Sequence, residues 1–558
     1  MTLRLRLPRP AALATACLAS CATIAAAQAP TALDRRIDSV FAAFARTSTP
    51  GCAVGVDRGT APLVRRAYGM ANLEANVPWT VGTISESGST AKQFVAAGLV
   101  LLARDGVLAL DDDITRWIPE VRDLGHRITV RQLLSHTSGL PDRYTLHDVM
   151  ARPAGIVDHP NAEVMAIVAR LRELNFAPGE DYLYSNTGYV VAATVLERAS
   201  GKSLQAFSQE RIFGPLGMRD TQWREDHRTV VPGRAAAYAG TAATGFRNDH
   251  PFTRVIGSGG LLITVDDYLK WAGAQQRREG VWGAVADSLS GVIRLNEGTA
   301  ITYGLGVTTD TWRGVRRVSH TGSTGGYRAA LYRFPDQAVS VALLCNVGSA
   351  NPGALATSVA AVVLGEALEP VRAERAPATA MTAEGLAALA GRYRSPRTHE
   401  VLVLLPRDGA LVDSLTGTAF VPWGDDRVRA RGGAVELQVI RTGAAATALR
   451  WTAPGARPND YARVEAPDTA PAALAALAAR YRSPELDVGY PLIVRDGALA
   501  VDAGWMGVEP LRPLYRDGFA TPNGEILEFT RDARGRVTGY TLWAGRVRHL
   551  RFERVAAR

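Results

Sequence analysis

Ser89 and Lys92 stand three residues apart in Ser89-Thr90-Ala91-Lys92, a spacing that puts both side chains on one face of a helix. A serine hydroxyl is a poor nucleophile until a neighbouring base takes its proton, and an acylated intermediate needs donors aimed at its oxyanion. Lysine can serve as that base because a buried or crowded ammonium loses its proton near neutrality, which a guanidinium does not. Composition singles out this residue: of 63 Lys+Arg in 558 residues, only Lys92, Lys202 and Lys270 are lysine. Ala199 stands three before Lys202 and Asp267 three before Lys270, so Ser-x-x-Lys occurs once.

Such a pair works with a companion that tunes the lysine and carries the proton to the leaving group, and a tyrosine can do this if cations lower its pKa from about 10. Tyr184-Ser185-Asn186 stands just before an apolar helical stretch, Tyr189 to Leu196. His320-Thr321-Gly322-Ser323 closes a predicted strand and is followed by Gly325-Gly326. Taken singly, Tyr184 reads as a core tyrosine, Asn186 as a helix cap and His320 as a structural histidine. No Gly-x-Ser-x-Gly occurs, which excludes the nucleophile elbow of α/β-hydrolases.

The elements that must position these residues follow from periodicity. Leu33, Ile37, Val40, Phe41 and Phe44 lie at helical spacing; then come Pro50-Gly51, a strand at Cys52 to Val56 and a second strand near Leu63 to Tyr68. Phe94 to Leu102 predicts a buried helix beginning at or just before Ser89, interrupted only by Gly98. Helices dominate to about residue 275. From Tyr303 short β-runs take over (Val315 to Ser319, Tyr327 to Phe334, Ala338 to Leu344), then a small-residue helix runs to Leu368. The fold class is α/β: an antiparallel sheet first and last in sequence, with a helical region inserted between.

Residues 369–382 are rich in Pro, Ala and charge and read as a linker. Beyond them the chain repeats itself: Tyr393-Arg394-Ser395-Pro396 recurs as Tyr481-Arg482-Ser483-Pro484, and Arg407-Asp408-Gly409-Ala410-Leu411 as Arg495-Asp496-Gly497-Ala498-Leu499. Both pairs share one offset, the mark of a duplicated unit. Asp517-Gly518 and Asn523-Gly524 are further hairpin signals. Two small antiparallel β-barrels, at 383–466 and 471–558, are the expectation, with nothing catalytic visible in them.

Composition adds limits. A length of 558 predicts two or three domains. The net charge of +9 is spread along the chain without a basic block or interleaved aromatics, so no nucleic-acid partner is expected. Arg4, Arg6 and Arg9 precede a short apolar run from Ala11 to Ala27, which reads as a secretory signal peptide over 1–27, cut after Ala25-Ala26-Ala27. Leu18-Ala19-Ser20-Cys21 offers a second reading, a lipobox that would leave Cys21 lipidated and the protein on a membrane. Cys52 and Cys345 remain; both lie in apolar strand-like runs and are expected as buried free thiols, since a disulfide needs the strands to be neighbours. There is no Cys-x-x-Cys and no His-Glu-x-x-His, so the sequence makes no case for a metal, and no cofactor is expected.

The three motifs Ser89-Thr90-Ala91-Lys92, Tyr184-Ser185-Asn186 and His320-Thr321-Gly322, in this order, resemble those of the penicillin-recognising serine hydrolases, the group of class C β-lactamases, D-alanyl-D-alanine carboxypeptidases and D-aminopeptidases. The likeness extends through Leu133-Leu134-Ser135-His136-Thr137-Ser138-Gly139-Leu140, Gly201-Lys202-Ser203-Leu204, Gly214-Pro215-Leu216-Gly217-Met218, Gly259-Gly260-Leu261 and Tyr303-Gly304-Leu305-Gly306, and covers about residues 33–368. The repeat resembles the lipocalin-like appendages of D-aminopeptidases. The resemblance implies a β-lactamase/transpeptidase-like catalytic domain followed by the two barrels. It implies Ser89 as nucleophile, Lys92 as its proton acceptor or electrostatic partner, and Tyr184 as the group passing a proton to the leaving group. Asn186 would hold the substrate amide, and the backbone N–H groups of Ser89 and Ser323 would form the oxyanion hole, beside Thr321 and Gly322 of the third motif. His136-Thr137-Ser138-Gly139 imitates the third motif and is read as a structural turn.

One departure bears on substrate. His320 stands where typical β-lactamases have lysine, and a histidine near its usual pKa of about 6.5 supplies no fixed charge for a substrate carboxylate at pH 7. The expectation is an exported, periplasmic or secreted hydrolase of D-amino-acid-containing peptides or small esters. The alternatives are a class C-like β-lactamase and an inactive cell-wall or peptide-binding protein.

Overall fold

The computed structural model describes residues 31–121, 124–152, 157–371, 381–443, 445–502, 504 and 507–555. The leader, with Cys17 and Cys21, and most of the 369–382 segment lie outside them. Helix α1 (Ala32–Val40) starts on a Thr31/Asp34 capping box. Strands β1 (Cys52–Arg58) and β2 (Ala61–Tyr68) follow, then helices α2 (Lys92–Arg104), α3 (Asn186–Ser200) and α4 (Val265–Arg277). Strands β3 (Thr308–Trp312), β4 (Val315–Thr324), β5 (Tyr327–Phe334) and β6 (Val339–Cys345) and helix α5 (Pro352–Leu364) complete the N-terminal region.

The strands form one antiparallel sheet in the order β3-β4-β5-β6-β1-β2. Its central strands β6 and β1 are covered on both faces, which is why they read as nearly continuous apolar runs rather than alternating ones. Ile37 and Phe41 near α1 and Val359 and Ala360 of α5 pack one face. On the other face, Val265 and Leu269 of α4 share a core with Ala53, Ala342 and Leu344, and that core runs on into the helical region around α2 and α3. Gly98, the one weak helix former in α2, marks a close crossing: a Cβ there would lie 2.5 Å from Leu196 of α3.

The thiol expectation is corrected. Cys52 of β1 and Cys345 of β6 stand opposite each other in register, and the two are joined by a disulfide. The helical insertion separates them in sequence by 293 residues but returns the last strand to the side of the first.

Downstream, eight strands from Gly391 to Arg463 close into a barrel, and nine more from Ala479 to Arg554 form a sheet that curls almost to closure, its two edges being Val508–Pro510 and Arg512–Tyr515. The duplicated motifs have matching jobs. Tyr393 and Tyr481 are fully buried, and each donates its hydroxyl to a carbonyl four residues back, Leu389 at 3.0 Å and Leu477 at 2.7 Å, at the end of a short helix. Asp408-Gly409 and Asp496-Gly497 all have positive φ, the requirement of a tight type I′ hairpin.

The second barrel sits on the helical region. Leu146 and Ile167 belong to the apolar core of that barrel, and Tyr490 donates to the Val149 carbonyl at 2.6 Å. Its hairpin Ala544–Val547 turns on Gly545, at φ 49, and Arg546. The Arg546 carbonyl accepts from the Asp142 amide at 3.2 Å and from Asn175 Nδ2 at 3.0 Å.

A cross-link over so long a loop limits the unfolded chain strongly. Replacing Cys52 and Cys345 together by serine should lower stability by about 2–5 kcal/mol, read as a lower denaturation midpoint. An unchanged midpoint would show that strand pairing alone holds β1 to β6.

Candidate active site

Ser89 lies in a 3-10 turn, Gly88–Ala91, that runs directly into α2 at Lys92. The turn is pressed against the end of β4 so closely that neither partner has room for a side chain. A Cβ at Gly88 would come 2.5 Å from the Ser323 amide nitrogen, and one at Gly322 would overlap the Ser87 carbonyl oxygen. Gly88 also has φ 51, a left-handed conformation suited to glycine. Two glycines in different motifs thus bring the backbone at Ser89 beside that at Ser323.

Lys92 is fully buried. Its Nζ lies 3.2 Å from Ser89 Oγ, 2.9 Å from Asn186 Oδ1 and 2.6 Å from the Ser258 carbonyl oxygen. Burial drives its pKa well below the ordinary lysine value; Asp142 opposes the shift, while Arg143 and Arg546 add to it. The three contacts also suit a neutral amine. Two N–H groups serve Asn186 and Ser258, both pure acceptors here, and the lone pair is left facing the Ser89 hydroxyl.

Asn186 opens α3 just after the true N-cap, Ser185, whose side chain accepts from Gly188 N. Asp142 Oδ2 accepts from Asn186 N at 2.6 Å and from Asn186 Nδ2 at 2.8 Å. A carboxylate only accepts, so this fixes the amide with Oδ1 toward Lys92. Asn186 therefore orients the lysine from the same cavity wall at which a substrate amide would lie.

Tyr184 has its ring 4.1 Å from that of His136 and 4.9 Å from Lys92 Nζ, with its hydroxyl buried and free of a hydrogen bond of good geometry. Cations would have to lower its pKa for it to serve as a base. Burial instead raises it, with Ser89 and Arg546 offsetting only part, so the resting group is a neutral phenol. His136 has φ 59 and accepts the Ser185 amide on Nδ1 at 3.0 Å. The turn it occupies supports the ring of Tyr184 from behind.

His320 lies within β4, which runs on to Thr324 and so carries the whole third motif. Its Nδ1 is 2.6 Å from the Thr321 carbonyl oxygen and its Nε2 2.9 Å from the Tyr303 hydroxyl. A carbonyl can only accept, so Nδ1 carries the proton and Nε2 accepts from Tyr303. Burial pushes the His320 pKa down to about 4. The position is neutral at pH 7.

These groups line a cavity of about 690 Å³, where Ser89, Tyr184, Asn186, His320, Thr321, Gly322 and Ser323 meet. Lys92 lies behind Ser89 and Asn186. Lys202 and Lys270 are elsewhere, half-exposed and paired with Glu210 and Asp267. Three further residues of the wall, Arg143, Arg328 and Arg546, went unnoticed in the sequence, as did the Ser258 carbonyl. Arg546 comes from the second barrel, where nothing catalytic was expected. The Gly259-Gly260 pair was the one signal near Ser258. Away from the cavity, His147, His159 and Glu163 bring ligand-type atoms within 4.8 Å of one another, but the two imidazoles stack in parallel at 3.8 Å, so their in-plane lone pairs do not converge on one point.

The family model described as Beta-lactamase matches residues 36–365. A D-aminopeptidase of Cereibacter sphaeroides is 28% identical over 544 residues, spanning 94% of this chain and 99% of that protein. Among solved structures, the octameric penicillin-binding protein homologue from Pyrococcus abyssi aligns with a TM-score of 0.52 at 21% identity, over 81% of this chain and 94% of that one. The D-amino acid amidase from Ochrobactrum anthropi SV3 aligns with a TM-score of 0.50 at 23% identity, over 60% of this chain and 98% of that one. These two likenesses are of fold.

The glycine contact yields a test. Gly322→Ala should part β4 from the Ser89 turn and slow phosphonylation of Ser89 by a fluorophosphonate, in which the serine oxygen displaces fluoride from phosphorus, at least ~10²-fold, the scale of losing one oxyanion donor, with circular dichroism unchanged. Labelling at the wild-type rate would show that this spacing does not matter.

Proposed function

The chain belongs to the beta-lactamase family, and from that premise we propose that it is an exported serine hydrolase that forms an acyl-enzyme on Ser89 and cleaves small amides or esters of D-amino-acid residues. The observation that carries this reading is the amine of Lys92: buried, oriented by Asn186 and Ser258, and with its lone pair free for Ser89. The D-aminopeptidases to which the chain is similar along nearly its whole length support the D-amino-acid part.

In the proposed reaction Ser89 Oγ attacks the substrate carbonyl carbon as its proton moves to Lys92 Nζ. The carbonyl electron pair passes to oxygen, which the amides of Ser89 and Ser323 receive. On collapse, the neutral Tyr184 donates its hydroxyl proton to the leaving nitrogen or oxygen and takes the proton held by Lys92. That relay uses a tyrosine of high pKa and a lysine of low pKa, the order the site provides. Water then releases the acyl group with the proton moving the same way in reverse.

Export is supported by the Cys52–Cys345 disulfide, a bond that persists in oxidising compartments, together with the leader motif. Whether the chain is cut before Gln28 or lipidated at Cys21 is decided by mass spectrometry of the mature amino terminus.

Turnover of D-alanyl p-nitroanilide, p-nitrophenyl acetate and nitrocefin tests the reading. Activity is expected on the first two, and Ser89→Ala should abolish it. Lys92→Arg keeps the charge but cannot accept a proton, so acylation should fall about 10²–10⁴-fold. A wild-type rate in that variant would reduce Lys92 to a cation, and a protein inert to all three compounds and to fluorophosphonate would be a binding protein.

A further inference from the structure

Arg143 is 2% exposed, yet its Nε and Nη1 are buried without a hydrogen-bond partner, and no carboxylate pairs with it among the described residues. The Tyr144 ring lies 3.9 Å from its guanidinium carbon. Burying a charge without a counter-ion is costly. Arg224, buried to a similar degree, shows the ordinary solution: Glu86 takes its Nε at 3.0 Å and its Nη2 at 3.1 Å. Arg143 instead lines the active-site cavity.

It does so in unusual company. Arg328 and Arg546 line the same cavity, and among the described residues no Asp or Glu does. Arg328 is held by the carbonyls of Gly325 and Tyr327, and the charge of Asp249, which does not line the cavity, acts on it. Arg546 has Asp142 at 3.3 Å. That carboxylate, fully buried, is already occupied by Tyr144 N, Asn186 N and Asn186 Nδ2. The cavity thus presents three guanidiniums against two carboxylates, Asp142 and Asp249, neither of which lines it. His320, with its pKa pushed down to about 4 by burial, adds no fixed charge.

We infer that among the substrates it turns over the site prefers those carrying a carboxylate, held by Arg143 and by Arg546 of the second barrel, over those carrying a free α-ammonium. Guanidinium matches carboxylate in shape and charge, whereas an ammonium would enter a wall of like charge with no acid to receive it. This rests on the hydrolase reading above and narrows it. The anion-binding role is relocated: it falls to arginines around the cavity rim and to the barrel, not to the first residue of the third motif.

Two matched sets test the inference. The first is D-alanine p-nitroanilide with a free, an acetylated or a succinylated amino group; the second is an acetylated D-alanyl dipeptide with a C-terminal carboxylate or carboxamide. In at least one set the carboxylate member should exceed its neutral partner about tenfold or more in kcat/KM, with the free amine slowest in its set. Arg546→Gln and Arg143→Met should each shrink that ratio toward one, and Arg143→Met, which removes an unpaired buried charge, should keep or raise the thermal midpoint. Preference for the free amine, or no carboxylate advantage in either set, overturns the inference, as does an advantage that survives both variants. Calorimetric binding of the same compounds to Ser89→Ala reads the anion site without turnover. An inert wild type whose Ser89→Ala form still binds the carboxylate member about tenfold tighter would sink the hydrolase reading and keep this one. Active wild type with no carboxylate advantage in rate or binding does the opposite.

Discussion

A lysine amine sealed from water is the constraint around which the N-terminal region is arranged. Lys92 can be a base only if it is neutral at working pH, and burial inside the first turn of α2 drives its pKa down in that direction. Sealing it has consequences. Each of its hydrogens needs an acceptor, so the amide of Asn186 must be turned by Asp142, and the Ser258 carbonyl must arrive from a distant loop. The sealed surroundings that lower the lysine also raise Tyr184, because desolvation favours the uncharged form of either group. One effect therefore divides the roles: the amine accepts protons and the phenol keeps one to give.

What could be read in the sequence is what is local. Ser-x-x-Lys needs only a helical register, and the paired glycines and histidine of the third motif need only a strand end. The repeats announced the barrels because a buried tyrosine at a strand start and an Asp-Gly hairpin are short-range devices that recur together. Hidden features depend on contacts made across the fold. Cys52 and Cys345 look alike whether or not β1 meets β6. Arg143 and Arg546 are two arginines among many in a chain that uses lysine three times. The direction of the tyrosine pKa is hidden for the same reason, since the sequence shows which cations exist but not how deeply the phenol is buried.

The two barrels, built on one plan, have diverged in use. The second is fixed to the helical region by apolar side chains that its own core absorbs, Leu146 and Ile167, and by hydrogen bonds to the Arg546 carbonyl. A hairpin tip anchored through its backbone leaves its side chain free to face the cavity. In this arrangement the wall of the site is finished by a segment some 450 residues beyond the nucleophile in sequence.

The bond between Cys52 and Cys345 turns everything between them into a covalent ring. Ser89, Tyr184 and His320 all lie on it, while the barrels hang from the chain beyond its closing point. A single cut anywhere in the helical insertion opens the ring without releasing a fragment, so a nicked molecule keeps its nucleophile and its third motif in one covalent unit. Wherever a protease meets its exposed loops, the sheet's first and last strands then act as a clasp, and loss of the molecule takes two events where an unlinked chain needs one.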